Sequence, residues 1–141
     1  MPLISPLKDF TFKYDSLGCK TPQIPIRFES SDGRSTSIIN AILDSGSDCI
    51  VIRHDLANWL GITLNPCPVQ VCTAGGKQNS FSGIIPKFIL GRGGREVIWT
   101  NVEIRVIENN PAFLIGIDPV FEAYLVTIDA SKKKVTLTPK T

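Results

Sequence analysis

The stretch Ala41-Ile42-Leu43-Asp44-Ser45-Gly46-Ser47-Asp48 carries an apolar strand straight into a carboxylate and a tight turn. An ionised Asp at the end of such a strand is partly desolvated, and it is tolerated there only where backbone amides or hydroxyls donate to it. Gly46 lets the chain bend back close to that carboxylate. Taken by itself, Asp-Ser-Gly reads as an Asx turn at a hairpin corner, a conformation open to such tripeptides in any sequence. What surrounds it decides between a turn and a site.

Upstream, Ile24, Ile26 and Phe28 alternate with Pro25, Arg27 and Glu29, and Ser30-Ser31-Asp32-Gly33 supplies turn chemistry. A hairpin is expected, its return strand running from Thr36 to Leu43 and buried on both faces. Downstream, Cys49-Ile50-Val51-Ile52 reads as a short buried strand. Ile52, Leu56, Trp59 and Leu60 then recur at helical spacing, which predicts a short helix with Trp59 as core filler and Gly61 closing it. Val69 to Ile85 reads as strands around Thr73-Ala74-Gly75-Gly76-Lys77, a hairpin tip that its glycines keep tight. A second hairpin is expected from Phe88 to Val97, turning through Gly91-Arg92-Gly93-Gly94. Val102, Ile104 and Val106 alternate with Glu103 and Arg105, the signature of a half-buried strand.

Toward the end, Phe113-Leu114-Ile115-Gly116-Ile117 reads as a buried strand, and Asp118-Pro119 as a helix start with Asp118 capping. Phe121, Tyr124 and Leu125 supply that helix's buried face. Val126-Thr127-Ile128-Asp129 and Val135-Thr136-Leu137 form a terminal hairpin around Lys132-Lys133-Lys134, a solvated turn. Residues 1–21 mix Pro, Lys, Asp and Gly without a sustained period, so they form an arm, strand-bearing or irregular, packed on a domain of residues 22–141. The sum is an all-β domain of many short strands and two short helices.

Composition narrows the chemistry. With 141 residues the chain has room for one core, and 15 Lys and Arg against 13 Asp and Glu leave a net charge of +2. That balance gives no electrostatic reason to expect nucleic acid or an anionic membrane as partner. The single histidine, His54, excludes a multi-histidine zinc site, and any Ser-His-Asp or Cys-His machinery would hang on that one residue. At the start of a short helix it reads as a surface or capping residue. Cys19, Cys49, Cys67 and Cys72 form no CxxC pair. Cys67 and Cys72 could bridge a loop, but with no basic n-region or apolar h-region at the start, reduced thiols and a cytoplasmic location are expected. No apolar run approaches the roughly 20 residues a membrane span needs. Neither metal nor cofactor is expected, and hydrolytic chemistry, if present, rests on carboxylates.

In their order along the chain these features resemble the retropepsin-type aspartic proteases. A hydrophobic strand enters Asp44-Ser45-Gly46 and is followed by a short helix ending at Leu60-Gly61. A glycine-tipped hairpin at Thr73–Lys77 stands where the family carries its flap. Phe113-Leu114-Ile115-Gly116-Ile117-Asp118 matches the second signature, two apolar residues and Gly before a short helix. The ending resembles that of cellular and bacterial members. The match spans residues 22–139.

The resemblance implies a small closed β-barrel with a flap hairpin and an aspartic endopeptidase. One catalytic Asp cannot hold the shared-proton state that activates water, so the active form is a homodimer in which Asp44 of each subunit meets its mate on a two-fold axis. Ser45 is implied to clamp the two loops together, and Gly46 to face the substrate backbone. Ser47 is implied to donate to the carboxylate and so give an acid-shifted activity. Asp48 reads equally as a substrate contact or a solvated turn charge. Thr73, Ala74, Gly75 and Gly76 would close over the peptide, and Val51, Ile84, Ile85 and Ile115 would wall apolar pockets. The retroviral members carry Arg after the Gly of the second signature, where this chain has Ile117, so its dimer support differs. Two other readings stand beside the protease: a catalytically silent binding or dimerisation module on the same fold, and an unrelated small barrel with Asp44 as a turn residue.

Overall fold

The structure, a computed structural model, describes Leu3 and residues 6–14, 21–73 and 76–140. Its strands are β1 (Phe10–Lys13), β2 (Gln23–Glu29), β3 (Ile39–Leu43), β4 (Ile50–Ile52), β5 (Asn65–Pro66), β6 (Val71–Thr73), β7 (Gly76–Gln78), β8 (Ser80–Arg92), β9 (Arg95–Ile107), β10 (Leu114–Ile115), β11 (Tyr124–Asp129) and β12 (Lys134–Pro139). One α-helix, α1 (His54–Trp59), follows β4, and a wider helical turn, Ile117–Phe121, follows β10.

The principal sheet runs β2-β3-β10-β4-β9-β8, and β8 pairs back onto β2, closing a six-stranded ring. Closure removes the open edges a flat sheet would leave. Ile24, Ile26 and Phe28 of β2 fill the interior with Ile50 and Ile52 of β4, Phe88 and Leu90 of β8, and Val102 and Ile104 of β9, all essentially inaccessible. Phe28, Phe88 and Trp99 follow one another, the first pair tilted with centroids 5.8 Å apart and the second stacked at 5.5 Å. A second sheet, β1-β12-β11, brings Phe10, Val135 and Leu137 into the same core. The stretch before Pro22 thus contributes a strand and two buried side chains, Phe10 and Tyr14.

Several local expectations are corrected. The strand entering Asp44 is shorter than Thr36–Leu43, and it is not buried on both faces: Ala41 and Leu43 are buried while Asn40 is exposed, because β3 has the core on one side only. The hairpin expected to turn through Gly91–Gly94 pairs further, Gly91 opposite Glu96 and Arg92 opposite Arg95, so Gly93 and Gly94 alone make the turn. Trp59 is 45% exposed, with the Arg34 guanidinium 5.1 Å from its ring; Ala57 and Leu60 occupy the core instead. Asp118 does not cap a helix. Its backbone is extended, the residue before the turn is Gly116, and no side chain caps it. Leu125 is 59% exposed because β11 starts two residues earlier than expected, at Tyr124, and strand alternation turns Leu125 outward. Cys67 and Cys72 are free thiols, as is the buried Cys49. Cys19 lies outside the described residues. No helix among the described residues is long and apolar enough to cross a membrane.

Candidate active site

β3 delivers Asp44 to a loop that the chain's later half holds in place. β10 inserts between β3 and β4, parallel to the first (Ile115 beside Leu43) and antiparallel to the second (Leu114 beside Val51). The Ile42 amide donates to the Phe113 carbonyl at 2.9 Å and the Asp44 amide to Ile115 at 2.9 Å. Beyond the loop, the Ile117 amide donates to the Ser47 carbonyl at 2.8 Å and the Asp118 amide to Asp48 at 2.9 Å. The two motifs of the sequence are therefore one structural unit, with residues 113–118 clamping both arms of the Asp44 turn. The clamp needs a glycine: a Cβ on Gly116 would lie 2.5 Å from the carbonyl oxygens of Ser47 and of Cys49.

Both oxygens of the Asp44 carboxylate are engaged. Oδ1 accepts from the Gly46 amide at 2.9 Å and Oδ2 from the Ser47 hydroxyl at 3.0 Å. The Ser47 amide closes the turn on the Asp44 carbonyl at 3.1 Å. The carboxyl group is thus fixed in one plane by donors from its own loop. A cleft of about 470 Å³ opens over it, bounded by Gly46 and Ser47, by Val71, Cys72 and Gln78 of the β6–β7 hairpin, and by the turn from Ile107 to Pro111 with Leu114. A smaller cavity of about 100 Å³ adjoins it between Gly46, Asp48, Val51, Val71 and Arg105.

Asp44, Gly46 and Ser47 meet at this cleft. Asp48 is exposed and borders the smaller cavity, and Ser45 is exposed outside the cleft lining. Thr73 ends β6 opposite Gly76, at the far end of the hairpin from the cleft-lining Val71, Cys72 and Gln78. Ala74 and Gly75 lie outside the described residues. Of the expected wall residues, Val51 borders the smaller cavity. Ile85 and Ile115 are wholly buried in the core, and Ile84 is 54% exposed beside Leu60 and Ile62 instead. The cleft wall is Leu114 rather than Ile115, a one-residue step that reverses the face a strand residue shows. The turn Glu108-Asn109-Asn110-Pro111 went unnoticed in the sequence, although turn-forming residues just before a buried strand were the signal for it.

Cys49 lies beneath the loop, where burial pushes its thiol up to about 11 and leaves it unreactive at neutral pH. Asp118 is also raised, first by burial and then by the nearby carboxylate of Glu122. Among the described residues no group of three or more His, Cys, Asp or Glu side chains is arranged to hold a metal ion.

A search of curated protein sequences finds no match. Among solved structures the chain is similar to a retropepsin-like aspartic protease from Rickettsia conorii, with a TM-score of 0.67 and 16% identity over 94% of this chain and 100% of that one. It is also similar to the EIAV protease complexed with the inhibitor HBY-793, with a TM-score of 0.51 and 18% identity over 79% of this chain and 93% of that one. These likenesses rest on the fold. The sequence itself matches the aspartyl protease family over residues 24–118, the span that runs from the first core strand through the Asp44 loop to the clamp that holds it. Its fold is the retropepsin fold, and on the sequence match the chain belongs to the aspartyl protease family.

Proposed function

We propose that the protein is an aspartic endopeptidase active as a homodimer. The observation that carries this reading is the Asp44 carboxylate, held by the Gly46 amide and the Ser47 hydroxyl at the floor of an open cleft. A lone carboxylate has no partner with which to share a proton, so the reaction draws a second Asp44 from another copy of the chain. In the paired site one carboxyl is neutral and donates to the substrate carbonyl. The other is ionised and takes a proton from a water, which attacks the peptide carbon directly. Ser45, exposed beside Asp44, is available to bond across the two-fold axis, and Asp48 to meet the substrate backbone. The β6–β7 hairpin acts as the flap, with the Thr73–Gly76 pair nearest its tip and Val71 and Cys72 on its cleft side. Association is supported by β11, which among the described strands pairs with β12 alone and exposes Leu125 and Ile128.

The test is cleavage of a diverse peptide library between acidic and neutral pH by wild type and Asp44→Asn, read by mass spectrometry. Wild-type cuts that fall at least about a thousandfold in the variant are expected. If wild type makes no cut at concentrations where it is dimeric, the fold serves as a binding or dimerisation module instead.

A further inference from the structure

The wall of the cleft facing the flap hairpin is a turn built to hold one shape. The Asn110 amide donates to the Ile107 carbonyl at 3.1 Å, the Ala112 amide to the Asn110 side-chain oxygen at 3.2 Å, and Asn109 sits at φ +61°. The Glu108 amide donates to the Asn79 carbonyl at 2.9 Å, tying the turn to the base of the hairpin. Glu108 is therefore presented from a fixed backbone, and its side chain is exposed.

Within the cleft over Asp44 no cation among the described residues lines the wall beside Glu108. The charged side chains lining the cleft are Asp44 and Glu108, both acids, with no cation among them. Glu108 also lines an adjoining cavity of about 520 Å³ with His54 and Arg53, the latter already paired with Asp55 and lying over the Phe113 ring at 5.9 Å. Among the described residues Glu108 makes no ion pair. Next to it the surface is apolar, formed by Ile107, Leu114 and Val71. An apolar floor ending at an unpaired carboxylate fits a side chain with a methylene stem and a cationic head.

We propose that Glu108 makes this cleft select peptides with a lysine or arginine beside the scissile bond, an inference that rests on the endopeptidase reading for the cutting and on the cleft alone for the binding. The stem lies along Ile107 and Leu114, and the head meets the carboxylate. Because Glu108 faces solvent, the preference weakens as salt rises.

The experiment compares peptides identical except for Lys, norleucine or Glu at each position flanking the cut, with wild type, Glu108→Gln and Glu108→Lys. Wild type should favour Lys over norleucine at one position by about tenfold in kcat/KM, a preference abolished in Glu108→Gln and turned toward Glu in Glu108→Lys. The ratio is taken within each protein, so a change in folded fraction cancels. The same peptides, fluorescently labelled, are titrated against Asp44→Asn and Asp44→Asn/Glu108→Gln at low and high salt. Cutting with no preference for Lys refutes the role of Glu108 and leaves the endopeptidase standing. Lysyl-selective binding that depends on Glu108, without cutting, refutes the endopeptidase and keeps the subsite. Neither cutting nor selective binding overturns both.

Discussion

At the scale of single residues, the Asp44 turn is an instance of sequence chemistry carried into geometry. An Asp, a Gly two residues on and a Ser three residues on place an amide and a hydroxyl on the two carboxylate oxygens, and a Cβ at Gly46 would crowd Oδ1 at 3.1 Å. Asp118 shows the opposite. Asp before Pro reads as a helix start, yet its backbone is extended and its carboxyl is pushed above the usual carboxylate range by burial and by Glu122, with Glu103 adding to the effect. A carboxyl raised in the folded state binds its proton more tightly there than in the unfolded chain. Its contribution therefore favours folding at acidic pH and is lost as pH rises through the folded value. Asp118→Asn should raise the melting temperature at pH 7 by about 1–3 °C, with the gain shrinking toward pH 3. The backbone bond from Asp118 to the Asp48 carbonyl remains in the variant. Thermal melts of both proteins across that range check it, and a gain that grows toward acid pH would contradict the assignment. Trp59 was misread for a related reason: helical spacing places a residue on a face, but a cation from another hairpin, Arg34, decides whether an aromatic stays at the surface.

At the scale of elements, strands with strict alternation were legible, because period two needs nothing beyond neighbours in sequence. β2 and the Val102–Val106 part of β9 stand where the alternation put them, β4 lies in the apolar run read as a short buried strand, and the terminal hairpin of β11 and β12 is present with longer strands than expected. β10 could be seen as an apolar stretch, but its role could not, since a two-residue strand derives its meaning from lying between β3 and β4. The same holds for the cleft wall, where Leu114 rather than Ile115 faces outward according to the register of that insertion. The tightest test of the clamp is Gly116→Ala. Its added methyl would sit 2.5 Å from two loop carbonyls and 2.8 Å from the Cys49 amide nitrogen, so backbone must move. A loss of about 1–3 kcal/mol in stability is expected, together with a fall of about a hundredfold in any Asp44-dependent cleavage. Denaturant unfolding and the peptide assay measure the two separately. A variant with wild-type stability would show that the loop and the clamp are not in the contact described.

At the scale of the molecule, the closed ring of strands was anticipated through family resemblance more than through pattern, because ring closure depends on β8 reaching back to β2 across about sixty residues of sequence. The long partners β8 and β9, thirteen residues each, were seen only as fragments, because Gly83, Pro86 and Gly91 interrupt the pattern of β8 and Asn101, at φ +53°, that of β9. If the site is shared between two copies, activity should fall faster than protein concentration on dilution. Mixing equal amounts of wild type and Asp44→Asn, after exchange of subunits, should leave about a quarter of the activity expected for intact pairs, since only that fraction carries two carboxylates. A linear fall to one half would mean that each chain acts alone.

The insertion of β10 also sets an order in time. Asp44 is made early in the chain, but the bonds that fix its loop come from Phe113, Ile115, Ile117 and Asp118, some seventy residues later. Contacts so distant in sequence form late in folding. During synthesis the Asp44 loop therefore leaves the ribosome without its clamp and acquires its geometry only once residues 113–118 have emerged. The topology itself thus withholds the fixed geometry of the Asp44 turn until residues 113–118 are in place.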